Sequence, residues 1–206
     1  MTIVRQDYEA IFKPHLVKLA QQVEVNLCEV FDGWPRIDRI QARAKSPERF
    51  LAKASKKNDD GTPKYTNPLL EIQDQVGARI ITFYLSDVRN ISAELERHFS
   101  FIEMQDVLPD SVSEFGYESK HYIVNTPTDL LPPDVEASLP KQFELQVKTL
   151  FQHAWAETSH DIAYKELSGS LDKESKRLVA LSAAQSWGSD NILEDILRKL
   201  SNPEQP

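Results

Sequence analysis

Between Arg5 and Phe31, Tyr8, Ile11, Phe12, Leu16, Leu19, Val23, Leu27 and Val30 recur at three- and four-residue steps. That spacing predicts a helix over 5–31 with one apolar face. Pro14 lacks a backbone donor and is expected to kink or divide it. Asp32-Gly33-Trp34-Pro35 ends it. Over 37–45 the period drops to two: Ile40, Ala42 and Ala44 fall on one side, Arg39, Gln41, Arg43 and Lys45 on the other. This predicts a half-buried strand with a basic face. Ser46-Pro47 reads as the N-cap and first residue of a helix running to about Lys56, with Arg49 and Lys53 on neighbouring turns. After a polar loop to Pro68 and a short helix at Leu69–Gln73, the pattern predicts a strand over 77–85 and a helix over 86–100. A short strand over 101–108 and another over 117–124 follow. Thr126–Lys141 is a Pro-rich connection. Phe143, Leu145 and Val147 alternate with Glu144, Gln146 and Lys148, the mark of a further strand. Helices are predicted over 149–167, 171–187 and 190–200.

Strands thus alternate with helices in the middle of the chain and helices flank both ends. The fold class is α/β (α+β): a mixed sheet of about five strands in a helical wrapping. The expected organisation is an N-terminal helical extension over 1–35, a core domain over 36–167 and a C-terminal helical extension over 168–206.

Composition narrows the classes. The 206 residues are 40% hydrophobic and 27% charged, with net charge −8; this is globular composition, not that of a disordered chain. No run is apolar enough for a membrane span, and Arg5, Asp7 and Glu9 interrupt any apolar signal core. Cys28 is the single cysteine, so an intrachain disulfide is excluded. The expected compartment is the cytoplasm. Charge is uneven: residues 36–57 carry Arg36, Arg39, Arg43, Lys45, Arg49, Lys53, Lys56 and Lys57 against Asp38 and Glu48 alone. Such a run is either a solvated face or a local polyanion site on an otherwise acidic protein. A general nucleic-acid binder is more often basic overall.

The polar faces of the strands suggest which polyanion. One carries Arg43 and Lys45, one Tyr117, Ser119 and His121, one Glu144, Gln146 and Lys148; Asp74 stands just before an apolar run. On one sheet face these supply cations for phosphates, carboxylates for a divalent ion and a ring for a base, the needs of phosphoryl-type transfer.

Five segments then resemble the RelA/SpoT synthetase family, in its order and with compatible gaps, over about residues 36–166. They are Arg43-x-Lys45-Ser46-x-x-Arg49-x-x-x-Lys53, Asp74-x-x-Gly77-x-Arg79-Ile80, Gly116-Tyr117-x-Ser119-x-His121, Glu144-x-Gln146-Val147-Lys148-Thr149, and His153-x-Trp155-x-Glu157-x-x-His160. The resemblance is to the stand-alone small alarmone synthetases. It implies a nucleotidyltransferase-like sheet and transfer of the β,γ-pyrophosphate of ATP to the ribose 3′-hydroxyl of GDP or GTP. By the same resemblance, Arg43 stacks on the adenine, Lys45, Ser46, Arg49 and Lys53 hold the ATP phosphates, and Arg79 clamps the adenosine side. Asp74 and Glu144 bind Mg2+, and Glu144 also accepts the proton of the attacking hydroxyl. Tyr117 stacks on the acceptor base, His121 lies near the acceptor phosphates, and Gln146 and Lys148 support that side.

Departures from the family pattern are Glu114 and Phe115 before Gly116-Tyr117, Lys148 in place of Arg, and Lys120 in place of an apolar residue. All are expected on the acceptor side, so the acceptor stays open. Toxin members of the family use adenine nucleotides or the 3′ end of tRNA and are paired with an antitoxin; a nucleotide-binding module without catalysis is a further alternative. Terminal helices with apolar stripes serve either packing or homo-oligomers, tetramers in small members. His153, Glu157 and His160 lack a third ligand pattern for zinc, and His160-Asp161 is read as an accidental match to the HD hydrolases.

Overall fold

The computed structural model describes residues 2–107, 115, 119–131, 140–165 and 171–201. The apolar periodicity of the first thirty residues becomes two α-helices, α1 (Thr2–Ile11) and α2 (Val17–Val30), joined by a π-helical turn at Phe12–Leu16. Pro14 sits inside that turn. A wider turn relieves the missing donor and the ring clash without ending the helical path, so the expected helix is kinked rather than cut. Gly33 (φ 72°) and Arg36 (φ 63°) then turn the chain into β1 (Ile37–Ala44). Arg36, the non-glycine residue with positive φ among the described residues, is held by a 2.7 Å hydrogen bond from Nη2 to the buried Asp87.

Helices α3 (Pro47–Ala54) and α4 (Pro68–Glu71) and a 3-10 turn at Gln73–Gln75 lead to β2 (Val76–Thr82). Then come α5 (Leu85–His98), β3 (Phe101–Val107), β4 (Ser119–Asn125), β5 (Gln142–Thr149), α6 (Leu150–Lys165) and α7 (Lys173–Ser201). The five strands form one sheet in the order β1-β2-β5-β4-β3. β2 and β5 are parallel; the other neighbours are antiparallel. This is the mixed five-stranded sheet that the pattern predicts.

One face of the sheet is the main core. Ala78, Ile80, Tyr122, Val124, Phe143, Leu145 and Val147 are buried there with Leu19, Val23 and Leu27 of α2 and Ile91 and Leu95 of α5. Tyr8 and Leu16 join the same cluster, so the first thirty residues are a layer of the core. The other face carries Arg43, Arg79, Glu144, Gln146 and His121. α6 lies over part of that second face, and α7 packs on α6.

Two expectations are corrected. The helices expected at 171–187 and 190–200 are one 29-residue helix, α7, running through Gly188. A helix-interior glycine costs only about 1 kcal/mol, and anchors on both sides of Gly188 offset that: Ser182 accepts from Trp155 Nε1 at 3.0 Å and Asp190 from Thr149 Oγ1 at 2.7 Å. Lys148, expected on an exposed strand face, is 2% exposed, because alternation separates faces but does not say which elements cover them. Among the described residues no helix is long and apolar enough to cross a membrane.

Candidate active site

The second sheet face opens into a cleft of about 240 Å³ lined by Arg43, Lys45, Ser46, Arg49, Asp74, Gly77, Arg79, Glu144 and Gln146. Its basic wall forms where β1 runs into α3. Ser46 is the N-cap, its side chain accepting from the Arg49 N–H at 3.4 Å, and Pro47 follows at the first helical position. The cap fixes the turn that sets Lys45 at the strand end, Arg49 on the first helical turn and Lys53 one turn later.

Topology explains how two acids seventy residues apart reach one cleft. β2 and β5 are parallel, with Gly77 beside Glu144 and Arg79 beside Gln146. Their starting ends therefore lie together, and Asp74, just before β2, enters the cleft near Glu144, early in β5. Gly77 carries no side chain between Arg43 on one neighbouring strand and Glu144 on the other. A Cβ built there would meet no atom within 4 Å.

Asp74 Oδ2 lies 2.8 Å from both Lys45 Nζ and Lys53 Nζ. Burial pushes this carboxyl up, but the hydrogen bonds and charges of the two lysines outweigh it and hold it below the usual range. Glu144 follows the same logic. Burial raises it and His121, whose Nδ1 stands 3.1 Å from Oε1, lowers it; Asp74 opposes, and the net shift is down. Both acids are therefore ionised at neutral pH. Arg43 sits at the cleft rim, its pKa lowered by burial and then by the nearby Arg79 and Arg49.

These donors fit a hard divalent ion that shares its shell with phosphate oxygens. Asp74 Oδ1 is buried and has no hydrogen-bond partner, leaving a carboxylate oxygen for a cation, and Glu144 shares the cleft. Among the described residues no three His, Cys, Asp or Glu side chains cluster as a metal site. Such an ion would thus rest on two carboxylates and on its substrate.

The comparisons with known proteins decide the family. The model for the region found in RelA/SpoT proteins matches residues 42–169. The chain belongs to the RelA/SpoT family. Its relatives include the GTP pyrophosphokinases YwaC and YjbM of Bacillus subtilis (strain 168). YwaC is 30% identical over 135 residues, 65% of this chain and 61% of YwaC. YjbM is 27% identical over 173 residues, 82% of this chain and 76% of YjbM. The chain therefore spans less than two thirds of the length of YwaC. In fold it resembles the small alarmone synthetase 1 of Bacillus subtilis, with TM-score 0.73, 22% identity and coverage of 92% and 97% of the two chains. A GTP pyrophosphokinase family protein from Streptococcus pneumoniae gives TM-score 0.73, 20% identity and coverage of 97% and 98%.

Of the residues that the RelA/SpoT resemblance singles out, Arg43, Lys45, Ser46, Arg49, Asp74, Arg79, Glu144 and Gln146 line the cleft. Lys53 reaches it through Asp74 and His121 through Glu144. Lys148 lies below and donates from Nζ to Gln146 Oε1 at 2.7 Å. Tyr117 lies outside the described residues, as do Gly116 and Glu114. Lys120, expected on the acceptor side, points to the opposite face. It stands 3.7 Å from Glu96 of α5 and 6.0 Å over the Tyr122 ring, because it alternates with His121 along β4. Phe115 packs edge-on against Trp187 of α7 at 5.7 Å.

Two residues support the site in ways that the motifs do not assign, Glu157 from inside the fifth segment and Tyr8 from outside all five. Glu157 on α6 accepts from Arg79 Nη1 at 2.6 Å, so it orients this arginine of the cleft wall. Tyr8 of α1 donates from its hydroxyl to the Lys45 carbonyl at 2.7 Å. Tyr8 lies in an apolar stripe far from any motif, and no sequence signal distinguishes it from core packing.

Proposed function

We propose that this chain is an ATP-dependent GTP pyrophosphokinase, transferring the β,γ-pyrophosphate of ATP to the 3′-hydroxyl of GDP or GTP and so making (p)ppGpp. One observation carries the reading: two carboxylates held in their ionised form, Asp74 and Glu144, share a cleft with a wall of lysine and arginine side chains. Membership of the RelA/SpoT family and the GTP pyrophosphokinase relatives support it.

In this reading, Lys45, Ser46, Arg49 and Lys53 hold the donor triphosphate, and Arg43 and Arg79 flank the adenine. A triphosphate competes with Asp74 for the two lysines and frees the carboxylate as it binds. Asp74 and Glu144 would hold Mg2+, which supplies positive charge against the β- and γ-phosphates when bound. Glu144, kept ionised, accepts the 3′-hydroxyl proton. The acceptor oxygen forms its bond to the β-phosphorus while the bond from that phosphorus to the α–β bridging oxygen breaks, and AMP leaves. His121, Gln146 and Lys148 support the acceptor side, with Tyr117 the stacking ring. The exposed Leu178, Leu181, Ile192, Ile196 and Leu200 along α7 support self-association.

The test is labelled ATP offered with GDP, GTP, ADP, ATP and tRNA in turn. Label on a guanine nucleotide is expected. Label on tRNA alone, or on none of these, defeats the reading. Glu144→Gln should cut turnover by about 10²–10⁴-fold, the usual worth of a positioned base, and Asp74→Asn should also cut it, by removing a carboxylate that would hold the metal. Near-normal turnover in Glu144→Gln refutes its role.

A further inference from the structure

We propose that Tyr8 is a positioning residue of the donor-phosphate pocket, acting through Lys45 from a helix outside the segment that the family model matches. The inference rests on the reading of the cleft as a triphosphate site.

Lys45 occupies the single residue between the end of β1 and the N-cap of α3. Both of its backbone polar groups are tied to other elements. Its N–H donates to the Gln75 carbonyl at 2.8 Å. Its carbonyl accepts from the Tyr8 hydroxyl at 2.7 Å. Gln75 is itself anchored, donating from Nε2 to the Leu69 and Ile72 carbonyls at 2.7 and 3.0 Å. The direction in which Lys45 leaves the backbone is thus set from two sides, and its ammonium meets Asp74 at 2.8 Å.

The Tyr8 ring is also built for this task. It is fully buried and stacks on Phe50 of α3, with centroids 3.8 Å apart and planes 6° from parallel. The ring aligns α1 with α3, and the hydroxyl holds the Lys45 carbonyl. Burial, and then the nearby charge of Asp74, push the hydroxyl well above the ordinary tyrosine range, so it remains a donor at any working pH. A pure packing role needs only the ring. The hydroxyl's partner is the residue whose side chain reaches into the cleft.

Tyr8→Phe separates the two roles, since it keeps the stack and removes one oxygen. It should raise the KM for ATP and weaken binding of a non-hydrolysable ATP analogue by about three- to tenfold, the worth of one neutral hydrogen bond. The KM for the guanine acceptor should stay unchanged. Tyr122→Phe is the control: a buried tyrosine whose hydroxyl reaches Glu96 at 3.3 Å on the other face. It should leave ATP affinity unaltered. In a Lys45→Ala background, Tyr8→Phe should add no further loss of analogue affinity, because the two act as one unit. Equal analogue affinity of wild type and Tyr8→Phe, or additive losses in the double variant, overturns the inference and leaves the donor pocket standing. Failure of the wild type to bind the analogue overturns the donor pocket itself, and the inference with it.

Discussion

Lys148 shows how one side chain can set a site against the fold that carries it. Its ammonium is buried under α6, and burial, then the nearby Arg79, lower its pKa from 10.5 to about 8. The folded state therefore binds fewer protons than the unfolded chain between about pH 8 and 10.5, and stability rises with pH across that window. Below it, the buried charge costs stability on the order of 1–3 kcal/mol. Lys148→Met should therefore be the more stable protein at pH 7 in urea unfolding, with its advantage shrinking as the pH approaches 10. An advantage that is constant with pH contradicts the assignment. The residue's membership of the site was legible from its motif, because Glu144, Gln146 and Lys148 share the period of a strand. Its burial was not legible, because the cover is α6, and the alternation along β5 holds no record of it. Lys120 makes the complementary point. Read beside Ser119 and His121 it belongs to the acceptor motif, yet period-two geometry sends it to α5.

At the scale of elements, the strands were the most readable part of the chain, since each half-buried strand writes its two faces as alternate letters. The helices were read well until a breaker intervened. Pro14 is absorbed by a π turn, and Gly188 by anchors spread along α7: Ser182, Asp190 and Glu194, which accepts from the Ser86 N–H at 2.9 Å and from Arg89 Nη2 at 2.7 Å. At Gly188 tertiary packing outweighs the local preference of one residue, whereas at Pro14 the backbone itself widens to accommodate the ring. At Gly188 an added Cβ meets nothing within 4 Å and the backbone is helical. Gly188→Ala should therefore stabilise the protein by about 0.5–1 kcal/mol, seen as a higher thermal midpoint with activity intact. A lowered midpoint would mean that α7 needs the flexibility of a glycine there.

Seen whole, the molecule keeps one sheet face for cohesion and lines the other with the charged cleft. The terminal segments, which read as extensions in the sequence, have separate fates. The first thirty residues complete the core, whereas α7 touches the rest through one side and turns Leu178, Leu181, Ile192, Ile196 and Leu200 outward. If that outward side joins copies of the chain, Ile192→Asp with Ile196→Asp should lower the mass seen by light scattering while the melting temperature of the single chain stays close to its former value. A wild type that already scatters as a monomer removes self-association from the account. That this stripe would be left uncovered in the folded chain was beyond the sequence, because an apolar stripe looks the same whether it faces a core or solvent.

The bare position at Gly77 has a further meaning. Its backbone is ordinary extended strand, so the chain does not require glycine there for folding. What the missing side chain provides is headroom: along the line from Arg43 across β2 to Glu144, the floor is flush. Even a methyl group would stand as a kerb between the Arg43 and Glu144 side chains.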